Sequence, residues 1–394
     1  YIPFAYSTKR ENEIMAKLKL MVLAAFVLLM AVPASVVLAQ DVTGVGTATI
    51  SDDAFFSDAV TYEMTGVTIP EEGTAYESWL ISDDGATALS TGVMDVDDEG
   101  NVNHTFTSPS GENLVRSYSQ VWISVEPVPD TDTAPSGTYA FQTQIGSTDL
   151  SSARALVADW PADSGIGAAT RLVDQLEAAH AEASSVSSRS TTATVSEIND
   201  SIERVVNAIE GPNGSNYADH DADGTIESVG DGVGAIPHAN EVITAASTAQ
   251  SAHGATAQEN AQSSIDLMNL AVSKAAADVI GGTESEARLN LGRVAGLVDN
   301  ALNGLDTNLD GTISGSGEAG ARQAYREAQL IGTYILVGGA VVTTTPDPVV
   351  TPALPSTGDS TIPLLAQAGL AIALILMLSG GLLVTTERRS KKSI

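Results

Sequence analysis

The spacing of apolar residues changes once along this chain, near residue 147, and no other feature limits its fold as strongly. Before that point apolar and polar residues alternate in runs such as AVTYEMTGV, TAYESWLIS, ALSTGVMDV, SQVWISVEP and GTYAFQTQI; beyond it apolar residues return every third or fourth position. A strand turns alternate side chains to one face and a helix every third and fourth, so the two parts need different kinds of layer. The expected fold class is α+β and multidomain, with an antiparallel β-sandwich over 41–146 followed by an all-α helical domain over 148–340.

In the first part the runs are rich in Val, Thr, Ile and aromatic residues and are separated by clusters such as Pro70-Glu71-Glu72-Gly73, Asp83-Asp84-Gly85 and Pro135-Ser136-Gly137. Short strands with strong turn chemistry suggest the sandwich. Tyr76, Trp79 and Trp122 lie in these strands and read as core. Asp95, Asp97 and Asp98 read as hairpin-turn residues, with metal ligation as the alternative. In the second part the spacing predicts helices near 148–159, 166–186, 194–210, 234–253, 256–281, 284–303 and 318–338. Ile198, Ile202, Val205, Val206 and Ile209 form one stripe, with Ser196 as the candidate N-cap. A core so rich in alanine buries few methylenes per contact, which leaves a thin margin of stability.

Two acidic stretches interrupt the helices: DHDADGTIESVGDG at 219–232 and DTNLDGTISGSGEAG at 306–320. Both read D-x-[DN]-x-D-G-T-I-[ES], and both follow helices with similar last turns, VVNAIEG and LVDNALNG. Such self-similarity suggests a duplicated helix–loop–helix unit. Calcium takes six to eight hard oxygens at about 2.3–2.6 Å, and a tight loop can aim alternate side chains at one point. These loops resemble the calcium loops of EF-hand and dockerin-type modules. The resemblance implies side-chain ligands at Asp219, Asp221 and Asp223, and at Asp306, Asn308 and Asp310. It implies backbone carbonyls from Thr225 and Thr312, and a ninth position, often bridged by water, at Glu227 and Ser314. Gly224 and Gly311 make the sharp turn, and Ile226 and Ile313 are expected to pin each loop to its neighbour. Position 12, acidic in those modules, is Gly230 and Gly317 here, with Asp231 and Glu318 one residue later. Either the loop is one residue longer or its last ligand is missing. Calcium is the expected cofactor, in a structural role, in a chain that has no cysteine to brace it.

The 394 residues carry 49 acidic and 18 basic side chains, a net charge of −31. That surface disfavours nucleic acid as a partner. The basic residues gather at the ends. Residues 1–14 read as an upstream scrap. Residues 15–39, with Lys17 and Lys19 before an apolar run and Val37 and Ala39 at the cleavage positions, read as a signal peptide. Residues 341–353 form a Pro/Thr-rich stalk. Residues 362–384 are nearly all apolar and long enough for a transmembrane helix. Arg388, Arg389, Lys391 and Lys392 follow, which places the bulk of the chain outside.

Leu354, Pro355, Ser356, Thr357 and Gly358 stand just before that span. LPxTG, apolar helix and basic tail together resemble the sorting signal of sortase-anchored surface proteins, here 354–394. The resemblance implies cleavage between Thr357 and Gly358, with sortase and cell-wall peptidoglycan as partners and the membrane as a holding point before processing. The order of Tyr76, Trp79-Leu80, Asp84-Gly85, Leu89-Ser90, Gly92-Val93 and VWISVEPVPDTDTAPSG resembles the extracellular domain of anti-sigma-K factors. That implies a β-sandwich; the sigma-binding region of those proteins has no counterpart in the residues matched.

Enzyme signatures are missing: there is no H-E-x-x-H, no Walker A loop and no nucleophile elbow. Glu177 and His180 form a single E-x-x-H, where a di-iron bundle needs two. Gly315, Gly317 and Gly320 spell G-x-G-x-x-G but follow no strand, and read as chance. The expectation is a secreted, non-enzymatic surface protein at the cell wall, structural, adhesive or ligand-binding in role. The alternative is a membrane-tethered envelope sensor or anti-sigma-like regulatory ectodomain; a surface hydrolase ranks below both.

Overall fold

Alternation along the strands does what the sequence requires of it: Ala48 and Ile50, Tyr62 and Met64 turn inward from neighbouring strands and are buried. The computed structural model describes residues 41–131, 133–315, 317–339 and 342–343. Among them are nine strands: β1 (Val45–Ser51), β2 (Ala59–Thr65), β3 (Thr74–Ser82), β4 (Ala88–Met94), β5 (Val102–Thr107), β6 (Tyr118–Pro127), β7 (Thr138–Gln144), β8 (Tyr334–Val337) and β9 (Val342–Thr343). They form two antiparallel sheets, in the orders β5-β2-β1-β8 and β4-β3-β6-β7-β9. A buried polar bridge joins the sheets, with Thr91 Oγ1 within 2.9 Å of Tyr62 Oη and 2.6 Å of Ser78 Oγ. Trp79 and Tyr76 are core, as expected. The Trp79 indole donates to Ser124 Oγ at 2.8 Å. Trp122 is half-buried, edge-on to Tyr139. Asp97 takes the amides of Glu99 and Asn101 at its own hairpin, next to Gly100 at φ 79°.

Among the described residues eight α-helices accompany the sheets: α1 (Leu114–Ser117), α2 (Ser147–Val157), α3 (Ala168–Ser188), α4 (Val195–Glu210), α5 (Ala235–Ala246), α6 (Ala252–Lys274), α7 (Glu284–Asn303) and α8 (Ala321–Leu330). A π-helical turn, Ala275–Ile280, extends α6. Three expectations need correction. The cap of α4 is Thr194 rather than Ser196. Its hydroxyl accepts the Glu197 amide at 3.3 Å while Glu197 accepts the Thr194 amide at 2.7 Å, a reciprocal capping box. The break after α5 lies at 247–251, where Ser251 caps α6, and Gly254 sits inside the helix. Finally, 318–338 is not one helix.

That last stretch holds α8 and then β8, whose Tyr334 and Leu336 are buried while Ile335 and Val337 are exposed. The period changes from helix to strand within one turn. β8 pairs with β1, Val45 opposite Val337 and Ala48 opposite Tyr334, and completes the first sheet. The helices therefore lie, along the chain, between strands of the sandwich. The buried apolar residues form one continuous cluster from Val42 to Leu336, and the described residues fall in one compact unit. Polar ties cross from strands to helices. Asp52 Oδ1 accepts the Tyr325 hydroxyl at 2.8 Å and the Gln329 amide at 2.6 Å, and Arg154 forks onto Asp83 at 2.6 and 2.7 Å.

Among the described residues no helix is long and apolar enough to cross a membrane. The expected signal peptide at 15–39, the LPxTG residues 354–358 and the transmembrane stretch at 362–384 all lie outside the described residues.

Candidate metal centre

The duplication seen in the sequence is a duplication of geometry. Thr283 and Glu286 cap α7 with the same reciprocal box that starts α4. Both helices end on a glycine in a conformation open essentially to glycine alone: Gly211 at φ 71°, ψ 176° and Gly304 at φ 76°, ψ 174°. Each chain then leaves through an acidic loop and re-enters beside its own starting point. A Cβ on Gly234 would lie 2.6 Å from the Gly211 nitrogen, and one on Gly320 would lie 2.6 Å from the Gly304 nitrogen. Two facing glycines thus close the neck of each loop.

Inside the loops the first, third and fifth side chains do the same work twice. Asp219 Oδ2 accepts the Gly224 amide at 2.8 Å, and Asp306 Oδ2 accepts the Gly311 amide at 2.9 Å. Asp221 and Asn308 accept the amides of Asp223 and Asp310 at 3.0 and 2.8 Å. Asp223 and Asp310 accept those of Thr225 and Thr312 at 2.7 and 2.8 Å. The fourth residue is left-handed in both, Ala222 at φ 61° and Leu309 at φ 62°. The first, third and fifth side chains of each loop thus fold back onto their own loop's amides. Ser314 is exposed. Ile226 and Ile313, expected to pin each loop to its neighbour, are 51% and 37% exposed, and Ile313 lies instead over the Gly304 neck of its own loop.

The two loops part company at the groups that close them. In the first, Glu203 of α4 is 2% exposed and takes three loop amides. Its Oε2 accepts those of His220 at 2.6 Å and Asp221 at 3.3 Å, and its Oε1 that of Glu227 at 2.8 Å. Asn207, one turn along the same helix, donates to the carbonyls of Ala218 and Glu227 at 3.1 and 2.7 Å. Sequence reasoning missed Glu203. The signal was an acid and an amide four residues apart, Glu203 and Asn207, beside an otherwise apolar stripe. In the second loop the closing carboxylate is Glu318 itself. Its Oε1 accepts the Thr307 hydroxyl at 2.8 Å and the amides of Thr307 and Asn308 at 3.2 and 3.1 Å.

Asp231, expected beside the first loop's ligands, turns elsewhere. Its carboxylate meets His238 Nε2 at 2.8 Å and lies 3.7 Å from Arg171. Burial pushes its pKa up, but the Val233 amide, His238 and Arg171 outweigh that and hold it below the ordinary value. Gly230 explains the missing twelfth ligand. A Cβ there would fall 2.0 Å from Gln175 Oε1, because the Gln175 amide occupies the space while it bonds to Ala208, Val229 and Asp231. Glu227 reaches outward to Arg204 at 3.0 Å. Its hydrogen bond with Asp200 raises its pKa against the pull of that guanidinium. Asp200, Arg204, Asp221, Asp223 and Glu227 line an open, acidic hollow of about 320 Å³.

One atom tests whether these residues suit a cation. Asp219 Oδ1 is sealed from solvent and accepts no hydrogen bond. A buried carboxylate oxygen without a partner is costly, and a hard cation is the partner such an oxygen fits. Glu203, Asp219 and Asp221 each place one carboxylate oxygen within 4.8 Å of the other two. In the second loop both oxygens of Asp306 are taken, Oδ1 by the amides of Leu309 and Asp310 at 2.6 and 3.2 Å. Elsewhere, Glu177 pairs with Arg322 at 2.6 Å, while His180 faces Ser184 and Asp299, so the E-x-x-H pair is divided between other partners.

Comparison with known proteins adds one finding. Residues 22–139 match the family model of the anti-sigma-K factor rskA C-terminal region. The match takes in β1 to β6 and the start of β7, and its first residues lie in the apolar run read as part of the signal peptide. No curated protein and no solved structure matches the chain.

Proposed function

We propose that the chain is the extracytoplasmic part of an envelope regulator of the anti-sigma-K kind, with its helical region braced by calcium. The observation that carries this reading is the match of residues 22–139 to the anti-sigma-K C-terminal region, over strands that build a two-sheet sandwich. It favours a regulatory ectodomain over an anchored adhesin. The adhesin reading draws on 354–358 and on the span and basic tail that follow. The two readings part at the mature C-terminus. A regulator keeps its tail, so mass spectrometry of the envelope fraction is expected to find peptides beyond Gly358. A mature chain ending at Thr357 and joined to peptidoglycan would replace the regulator with a sortase-anchored protein.

Calcium is the second part of the proposal. In the first loop Asp219, Asp221 and Asp223 would hold it, with the Thr225 carbonyl; in the second, Asp306, Asn308 and Asp310, with the Thr312 carbonyl. The ion would supply positive charge where carboxylates crowd, and its role is structural. Binding to the folded chain alone stabilises by about 2.7 kcal/mol at a hundred times Kd. The melting temperature is expected to rise with millimolar calcium and to fall back with chelator. An unchanged melt would remove the calcium reading.

A further inference from the structure

We propose that Glu203 is itself a cation ligand, supplying from helix α4 the buried carboxylate that the first loop lacks at its own twelfth position. This rests on the reading of residues 219–227 as a calcium loop. Three observations carry it. Glu203, Asp219 and Asp221 converge, one oxygen each, within 4.8 Å. Asp219 Oδ1 is buried without a hydrogen-bond partner, a state that points to an absent positive group rather than to a satisfied turn. The space where a twelfth ligand would stand is filled by Gln175, and Asp231 is drawn off to His238 and Arg171.

The chemistry of Glu203 suits the role. A carboxylate offers about four lone pairs, and three amides use three of them, which leaves one for a cation. Those amides fix the carboxylate at the floor of the loop, so a ligand ion would meet it already oriented. Three carboxylates converge there, and a divalent cation would relieve their mutual repulsion. Because Glu203 sits on α4, the bound ion would join the loop to the preceding helix, where an EF-hand joins its loop to the following one. The favoured ions are hard, oxygen-seeking divalent cations, calcium first.

The test is calcium titration calorimetry on the full chain in detergent micelles, comparing wild type with D219N, D306N, E203Q and D231N. The expected result is that D219N and D306N each remove one site. E203Q should weaken the first-loop site at least tenfold without touching the second, and D231N should leave both unchanged. If D219N removes a site while E203Q leaves its affinity intact, Glu203 is not a ligand, although the loop still binds calcium. If D231N weakens the site and E203Q does not, the last ligand belongs to the loop itself and the proposal is overturned. If neither D219N nor D306N alters uptake, the calcium-loop reading falls and takes this inference with it. Should E203Q fail to fold, the wild-type chain still decides. The Glu203 carboxyl carbon resonance is expected to shift together with that of Asp219 as calcium is added; a resonance that stays fixed while Asp219 moves overturns the assignment.

Discussion

The first loop, 219–232, and the second, 306–320, share almost every local bond and differ in how they are closed. In one, a glutamate from the preceding helix spreads both its oxygens over the loop's two sides. In the other, a glutamate from the loop's own end gathers three donors on a single oxygen. One leaves an aspartate oxygen buried and bare; in the other both oxygens of the equivalent aspartate are occupied. The contrast teaches that a repeated motif fixes conformation without fixing electrostatics. The local pattern sets the turn, and the helix packed beneath it sets how much negative charge is left uncompensated.

The largest test of this comparison lies at the necks. Gly211→Ala and Gly304→Ala each force a side chain into a conformation worth roughly 1–3 kcal/mol of strain. The first should be worse. Its Cβ would lie 1.8 Å from the Val233 carbonyl oxygen, whereas the closest atom at Gly304 is the Ile313 Cγ2 methyl, at 2.4 Å, ahead of the Glu318 oxygen at 2.6 Å. Urea denaturation is expected to show both losses, with Gly211→Ala the greater; equal losses would mean the necks are interchangeable.

A smaller effect separates the closing glutamates. Without calcium, Glu203→Gln replaces one of two working acceptor oxygens with a donor and should cost about 1.5–3 kcal/mol, the scale of hydrogen bonds to a charged group. Glu318→Gln can turn its remaining carbonyl to all three donors and should cost about 1 kcal/mol or less. Thermal melts of the two variants check the order. Smaller again, Thr194→Ala and Thr283→Ala remove the same capping box and should each cost about 1 kcal/mol. A clear difference between them would mean that the helices, and not only the closures, differ in stability.

The least of the effects is in pH, and its sign differs between loops. Hydrogen bonds from the Thr312 hydroxyl and amide hold Asp310 below the ordinary carboxylate value of 3.8. Its contribution is therefore complete above the unfolded pKa and is lost as pH falls through the lower folded one. Asp221 is raised above 3.8, so its folded form takes up a proton first, and acidification through that window relieves the first loop. In calcium-free solution, carboxyl NMR titration is expected to place Asp221 above 3.8 and Asp310 below it. The reverse order would undo the charge contrast.

Much of this was legible in the residues. Strand alternation in β2, the start and end of α7, the sites of both acidic loops and their duplication follow from period and spacing, whereas β3 is buried on both faces from Tyr76 to Ile81. What escaped was governed by contacts distant in sequence. Tyr334-Ile335-Leu336-Val337 continued an apolar pattern that also suits a helix, and only the open edge of β1 selects the strand. Thr194 and Ser196 are both good caps by composition; the position of Glu197 three residues beyond Thr194 decides between them. Glu203 read as one polar residue on an amphipathic helix, because its partners lie seventeen and more residues away.

By itself the sequence determined the inner geometry of the loops. Each aspartate or asparagine there bonds to an amide two to five residues ahead, and such bonds need no more than the local chain. Only the tertiary structure decided which glutamate closes each loop, that Gln175 excludes a twelfth ligand, and that a strand beyond the helices completes the first sheet. Those choices depend on which surfaces come within hydrogen-bond reach once the core has packed, and no local spacing encodes that distance.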